Sequence, residues 1–485
     1  MSARAKSNRT FLICTLLALG LAAWCLSFRL LVPQREDPDE GVYLMLGRLL
    51  NSGQPSSAIT FDQFWLFPKI IALAFNLAGD SLGTGRELAV LFSLAGLLGM
   101  ALLAHNAGAR RFAPVAVLCG ILDPYYLYQS RFVQTDMPAV VCIVWAIIFL
   151  CYFWRRESRI CLAISGGLSA AALLIKPLTL AFAALIVMSI FLHRARRTDG
   201  RLRIDFRNLA IDTVTFFSAA LLVALPFVNV GDIVGEFHRT VGAHWIERQQ
   251  DAPGFIERLS GLIDFLRVAF VWLPLAFIGA LAGLRSHRRL TWLLLLGEFF
   301  SAIVLLQFPP WEDHYVLLSP ILIILAVIGM EQAYARFQEG FKKRLSIFAA
   351  VAFVLGLPWL VHNDIHVLRT RPNDLTKVTT YLRQNIPPDA FIISDYAIVA
   401  YLAGRLLPPS AMNLCFPRTF RSYEMAHDDL ARVIGRYPVA AVVLMSDHEQ
   451  DPRLIDWIRE QFPRANVVEG DSLKTTAQIF ARQTP

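Results

Sequence analysis

Charged side chains are scarce in this 485-residue sequence, at 17% where a soluble domain carries about 25%. With 55% hydrophobic residues and a mean hydropathy of +0.49, that deficit excludes an ordinary soluble protein and implies a polytopic membrane protein. The seven cysteines have neither the spacing of a disulfide framework nor that of a zinc site, and read as small core residues. A phosphate-cradling glycine loop, a Gly-x-Ser-x-Gly elbow and a metal-ligand cluster at helical spacing are all missing from the sequence, so none of those chemistries has a motif to rest on.

The net charge of +8 invites a nucleic-acid partner, but its distribution argues against one. From Asn363 onward 14 basic residues balance 14 acidic ones, so the excess belongs to the apolar part. There, 21 basic residues fall into six clusters: Arg4 to Arg9, Arg110 with Arg111, Arg155 to Arg159, Arg194 to Arg207, Arg285 to Arg289, and Arg336 to Arg344. Basic residues crowded into alternate short loops mark the cytoplasmic side of a membrane.

Apolar runs of bilayer length predict eleven spans. They are Phe11 to Val32, Arg86 to His105, Ala113 to Tyr128, Met137 to Phe153, Ile160 to Ile175, Leu178 to His193, Leu209 to Val228, Val268 to Leu284, Leu290 to Gln307, Tyr315 to Met330 and Leu345 to Val361. The first lacks a small-residue cleavage pattern and reads as an uncleaved span. With the N-terminus inside an inner (plasma) membrane, all six clusters become cytoplasmic and the C-terminus lies outside. Phe64 to Ala78 is then an interfacial or re-entrant helix, and 33–85, 229–267 and 307–314 are outer loops of a membrane domain at 1–361. Beyond it, 362–485 alternates helical periodicity (Asp374 to Gln384, Met425 to Arg436, Arg453 to Gln461) with short apolar runs (Ala390 to Ile393, Val439 to Leu444, Ala465 to Val468, Ala477 to Ala481). That alternation predicts a small extracytoplasmic α/β domain.

The densest acidic stretch, Glu36-Asp37-Pro38-Asp39-Glu40, follows the first span. Mutually repelling carboxylates at a low-dielectric boundary gain proton affinity, which suits a general base; a solvated cluster that merely stops translocation is the alternative. Asp136, in Arg131 to Pro138, is either a site carboxylate or the N-cap of the next span, and Asp123-Pro124 reads as a bend or cap. Tyr125, Tyr126 and Tyr128 read as an interfacial belt. Cations expected outside are few: Arg35, Arg48, Lys69, Arg131, Lys176, Arg239, Arg248, Arg258 and Arg267. Lys176, between two apolar spans, calls for an anionic partner such as a phosphate, with snorkelling as the alternative. His244 and Arg248 lie four apart, on one helix face that could grip a phosphate. Trp311-Glu312-Asp313-His314-Tyr315 forms another outer mouth, in which His314 is either catalytic or a structural partner of the carboxylates.

Taken in order, these features resemble GT-C glycosyltransferases of the protein O-mannosyltransferase and lipid A aminoarabinose or galacturonic acid transferase type. The resemblance rests on Asp39-Glu40-x-x-Tyr43, Phe67-Pro68 closed by Gly79-Asp80-Ser81 and Arg86, Arg131 to Pro138, Gly167 to Pro177, and His314-Tyr315 with Pro320. Where many members carry Lys-Pro-Pro-Leu, this chain has Leu66-Phe67-Pro68-Lys69-Ile70, so that Lys69 stands in a shifted position. The resemblance implies a helical GT-C membrane domain. It implies transfer of a sugar from a polyprenyl-phosphate carrier to a lipid (lipid A included), glycan or protein acceptor on the outer face. No metal is obligatory, although a divalent cation is left open. Asp39 matches the base position, with Glu40 and Asp136 shaping the acceptor site; Lys176, Lys69, Arg248 and His244 are candidate phosphate contacts; Asp37, Tyr43, His314 and Tyr315 are candidates for the acceptor or sugar site. The rival class is a transporter or flippase of lipid-linked sugars. Carboxylates gathered at span ends, with no repeated halves, favour the enzyme.

Overall fold

The computed structural model of the chain describes residues 3–31, 38–61, 63–198, 201–228, 230–232, 234–235, 238, 255–307, 312–335, 347, 351, 354–362, 365, 375–415, 417–445, 450–469 and 476–482. The helices begin with α1 (Ala3–Ser27), α2 (Pro38–Asn51), α3 (Leu66–Ala78), α4 (Leu82–Asn106), α5 (Val115–Ile121), α6 (Pro124–Gln129), α7 (Asp136–Arg156), α8 (Arg159–Ile175) and α9 (Leu180–Arg194). A hairpin of β1 (Ala195–Thr198) and β2 (Arg201–Ile204) follows, then α10 (Phe206–Ala224), α11 (Phe255–Ala269), α12 (Leu273–Ser286), α13 (Arg288–Gln307) and α14 (Ser319–Ala335). The C-terminal part comprises α15 (Leu375–Asn385), β3 (Phe391–Ser394), α16 (Ala397–Ala403), α17 (Tyr423–Arg436), β4 (Val439–Met445), α18 (Pro452–Gln461), β5 (Arg464–Glu469) and β6 (Thr476–Ala481). The chain divides into two compact units: one of Met1–Phe28, Ala89–Arg131 and Thr135–Arg369, the other of Arg29–Leu88, Phe132–Gln134 and Thr370–Pro485.

The first unit is helical. Among the described residues six helices are long and apolar enough to cross a membrane, and a seventh span results if Leu259–Ala269 and Leu273–Ser286, bent by 86°, count as one. Arg159–Ile175 and Ser319–Ala335 are shorter apolar helices, and seven of the 17 residues of the expected span Leu345 to Val361 lie outside the described residues. The expected continuous span Ala113 to Tyr128 is broken. Asp123 ends it by capping α6, its carboxylate accepting from the Tyr126 amide at 2.9 Å, and Pro124 supplies the first helical position. Small residues set the packing, as they do where helices associate in lipid. A Cβ on Gly279 of α12 would lie 1.8 Å from the Leu325 carbonyl oxygen, and one on Gly329 of α14 would lie 1.9 Å from that of Leu275, so these two backbones touch. Likewise Gly166 of α8 admits the Phe216 carbonyl of α10, and Ser165 donates to the Ala146 carbonyl of α7 at 2.9 Å.

The second unit holds a four-stranded sheet of order β3-β4-β6-β5, parallel between β3 and β4 and antiparallel elsewhere. Its core joins Ile393, Val442 and Phe480 of the sheet to Leu430, Leu454 and Ile458 of α17 and α18. The helices α2 and α3, from the stretch 33–85 expected as an outer loop, group with the sheet in this unit. The reason is shared burial. Gly47 of α2 lets Ile71 and Phe75 of α3 approach, and Gly41 of α2 abuts the backbone of Ile398 in α16. The 13-residue α3 was expected as an interfacial or re-entrant helix; it is apolar and shorter than the six qualifying helices.

Candidate functional site

In the first unit, three elements far apart in sequence bring polar side chains to one point. Asp136 opens α7, Lys176 terminates α8 in extended geometry (φ −146°, ψ 105°), and His314 lies in a 3₁₀ turn over Glu312–Leu317. The Lys176 ammonium donates to Asp136 Oδ2 at 2.8 Å, and His314 Nδ1 lies 3.2 Å from Asp136 Oδ1. Asp136 and His314 are buried; Lys176 keeps 12% of its side chain open. The N-cap reading of Asp136 is thereby overturned. Thr135 occupies the cap position without a side-chain bond, and the Asp136 carboxylate turns to the two basic groups instead. Lys176 does have the anionic partner that its position called for, and that partner is Asp136.

Neighbouring candidates resolve into structure. Asp123 also accepts from Ser319 Oγ at 2.9 Å, tying α6 to the start of α14. Tyr315, expected in the acceptor site, is buried, stacked on Phe265 (5.4 Å, 16°) with Tyr125 edge-on at 6.0 Å. Tyr126, expected in an interfacial belt, is also buried and donates to the Ser93 carbonyl at 2.7 Å. Arg131 spends Nη1 on the carbonyls of Cys25 and Leu26 near the end of α1, both at 3.4 Å.

In the second unit, adjacent residues of α2 have different fates. Asp39, in the first turn, is partly exposed. Glu40 is fully buried and takes a two-pronged bond from Arg86, Nε to Oε1 at 2.8 Å and Nη2 to Oε2 at 2.6 Å, while the Val133 amide donates to Oε1 at 3.2 Å. Such a pair holds only with both partners satisfied, and Arg86 also donates to the Leu30 carbonyl at 2.7 Å. Glu40 was expected to shape the acceptor site; its carboxylate faces the interior instead, because Arg86 needs it there. Tyr43, also expected at the acceptor site, is buried between Phe61 and Phe67 and donates to Gln63 Oε1 at 2.7 Å. Lys69 lies exposed on α3. Asp37, His244 and Arg248 fall outside the described residues.

The same unit contains a cluster that the motifs did not indicate. Arg48 of α2 donates to both carboxylate oxygens of Asp80, at 2.6 and 3.2 Å, and to the Tyr401 carbonyl at 2.9 Å, with its guanidinium 3.8 Å above the Tyr401 ring. Arg48 is one of the cations expected outside and Asp80 lies within Gly79-Asp80-Ser81, with no signal in the sequence that pairs them. Among the described residues no three His, Cys, Asp or Glu side chains group closely enough to hold a metal ion.

Residues 64–219 match the family model described as dolichyl-phosphate-mannose-protein mannosyltransferase. The crystal structure of ArnT from Cupriavidus metallidurans bound to undecaprenyl phosphate is similar along nearly the whole length, with a TM-score of 0.61 at 13% identity over 99% of this chain and 98% of ArnT. The chain has the GT-C glycosyltransferase fold. Within that GT-C group, the archaeal oligosaccharyltransferase AglB from Archaeoglobus fulgidus, in complex with an inhibitory peptide and a dolichol-phosphate, is similar at a TM-score of 0.57 and 13% identity, over 89% of this chain and 69% of AglB. A comparison with curated proteins finds no match. The GT-C fold and the apolar helices make this a multi-pass membrane protein.

Proposed function

We propose that the protein is an integral membrane glycosyltransferase that moves a sugar from a polyprenyl-phosphate carrier to a lipid, glycan or protein acceptor on the outer face of an inner membrane. The observation that carries this reading is the Asp136, Lys176 and His314 cluster in a chain of GT-C fold. A buried carboxylate fixes the ammonium of a lysine whose side chain is not fully enclosed, and an ammonium has three donors, of which Asp136 occupies one. Such a group suits a phosphate whose charge grows as it leaves. The family description and the lipid phosphates bound to ArnT and AglB support that choice of donor.

In the proposed reaction the acceptor oxygen bonds the anomeric carbon as the bond from that carbon to the phosphate oxygen breaks. The electron pair stays on the lipid phosphate and the acceptor proton passes to a carboxylate; the resemblance carries these two roles, Lys176 as a phosphate contact and Asp39, a partly exposed residue of α2, as the base. Glu40 acts at one remove, by fixing the first turn of α2 through Arg86. The test is release of undecaprenyl phosphate by the purified protein from undecaprenyl-phosphate-linked mannose, galacturonic acid and aminoarabinose, with lipid A and peptide acceptors. A parallel comparison of surface glycans and lipids between deletion and complemented strains identifies the natural product. No release from any donor, together with unchanged glycans and lipids on deletion, would sink the reading.

A further inference from the structure

We infer that α16, a helix of the C-terminal part, is a positioning element for the base-bearing turn of α2, acting through Gly41, Arg48 and Tyr401; this rests on the reading of Asp39 as the base. Gly41 follows Glu40 directly and is buried. A Cβ built there would stand 2.1 Å from the Ile398 backbone nitrogen and 2.6 Å from its Cα. The first turn of α2 therefore rests backbone to backbone on α16, with no flexible side chain between them to absorb a shift. Arg48, seven residues on, lies on the same face of α2. It holds the other end of α16 by donating to the Tyr401 carbonyl and placing its guanidinium over the Tyr401 ring.

Asp80 closes the arrangement. It takes two bonds from Arg48 and a third, at 2.7 Å, from the Tyr401 hydroxyl, while Phe75 of α3 stacks on the Tyr401 ring with centroids 6.3 Å apart. Burial, and then the Asp80 carboxylate, push the Tyr401 hydroxyl above its ordinary value, so it remains a proton donor to Asp80 at working pH. Thus Asp39 sits one residue from a side chain fixed by Arg86 and two from a backbone fixed by Ile398. A surface ion pair alone would contribute little. Here the backbone contact and the bidentate arginine act on the same short helix from both ends.

A displacement of about 1 Å at a reacting group costs on the order of 10²-fold in rate, so Gly41→Ala should lower kcat by about that factor while leaving the affinity for undecaprenyl phosphate unchanged. Tyr401→Phe keeps the ring and removes only the bond to Asp80; it should lower kcat to a smaller extent. Both are measured as undecaprenyl phosphate release, alone and combined with Asp39→Asn, with melting in detergent as the check on folding. Positioning predicts that neither substitution lowers the residual rate of Asp39→Asn further, since the group it aims is already lost. Equal losses in both backgrounds would overturn the inference while leaving Asp39 as base. Parental turnover by Asp39→Asn would sink the base assignment itself. If Gly41→Ala does not fold, Tyr401→Phe decides: parental kcat with normal melting overturns the inference.

Discussion

A side chain that takes a proton from an acceptor must be reachable, and on that count Asp39 and Glu40 separate although they are adjacent. Glu40 is enclosed with both oxygens on Arg86, whereas Asp39 keeps exposure. Asp39→Asn is nearly isosteric and cannot accept the proton, so it should lower turnover roughly 10²–10⁴-fold while sparing binding of undecaprenyl phosphate. Asp37→Asn, from the same acidic stretch, is the control; if it alone abolished transfer, the base would be Asp37. Lys176 needs a different design because of its partner. Lys176→Met removes the phosphate contact but also leaves Asp136 buried beside His314 alone, and breaking a buried pair costs about 3–5 kcal/mol. The double variant Lys176→Met with Asp136→Asn removes that uncompensated charge. Its melting temperature should recover most of the loss, yet its affinity for undecaprenyl phosphate should stay low. Recovery of both would make Lys176 a structural residue only.

At the scale of elements, α18 offers a pH test. Asp451 caps this helix, its carboxylate taking bonds from the Arg453 side chain and from the Arg453 and Tyr423 amides, and these hold its proton affinity well below the usual carboxylate range. Because the folded state binds that proton more weakly than the unfolded chain, the stabilisation is complete above the ordinary Asp value and is lost as pH falls through the lower folded one. Melting of the parent and of Asp451→Asn in detergent should therefore differ most near neutrality and converge in acid; a constant offset would refute the linkage. The capping residue and the amphipathic periodicity that place α18 are local signals, and so the sequence expectations for α15, α17, α18 and all four strands of the sheet lie close to the elements found. The helix α16 was not anticipated, because the uniformly apolar stretch Ala397-Ile398-Val399-Ala400 has no polar face to mark its period. The hairpin β1–β2 was missed for the opposite reason, as it lies in a basic cluster that reads as loop.

For the whole molecule, what was legible followed from hydropathy and charge, which are summed along the chain, and what was not depended on pairing across it. Asp136 and Lys176 stand 40 residues apart, and Arg48 and Tyr401 stand 353 apart, so no spacing rule could join them. The membership of α2 and α3 in the unit that holds the sheet was hidden for the same reason. Topology, by contrast, is a question of sums. Placing all six basic clusters on one side with the N-terminus inside uses ten crossings, and the eleventh, Leu345 to Val361, follows the last cluster and rests on hydropathy alone. Reporter fusions after Gln307 and after Val361 separate the alternatives, since two further crossings lie between them if the assignment is right. Both fusions should report the outer side. A cytoplasmic signal after Val361 with an external one after Gln307 would remove one crossing and put the C-terminal sheet, with Tyr401 and its hold on α2, on the side away from an externally facing Asp39. That outcome would defeat both the threading and the positioning role of α16, because α2 and α16 belong to one compact unit and must lie on the same side of the membrane.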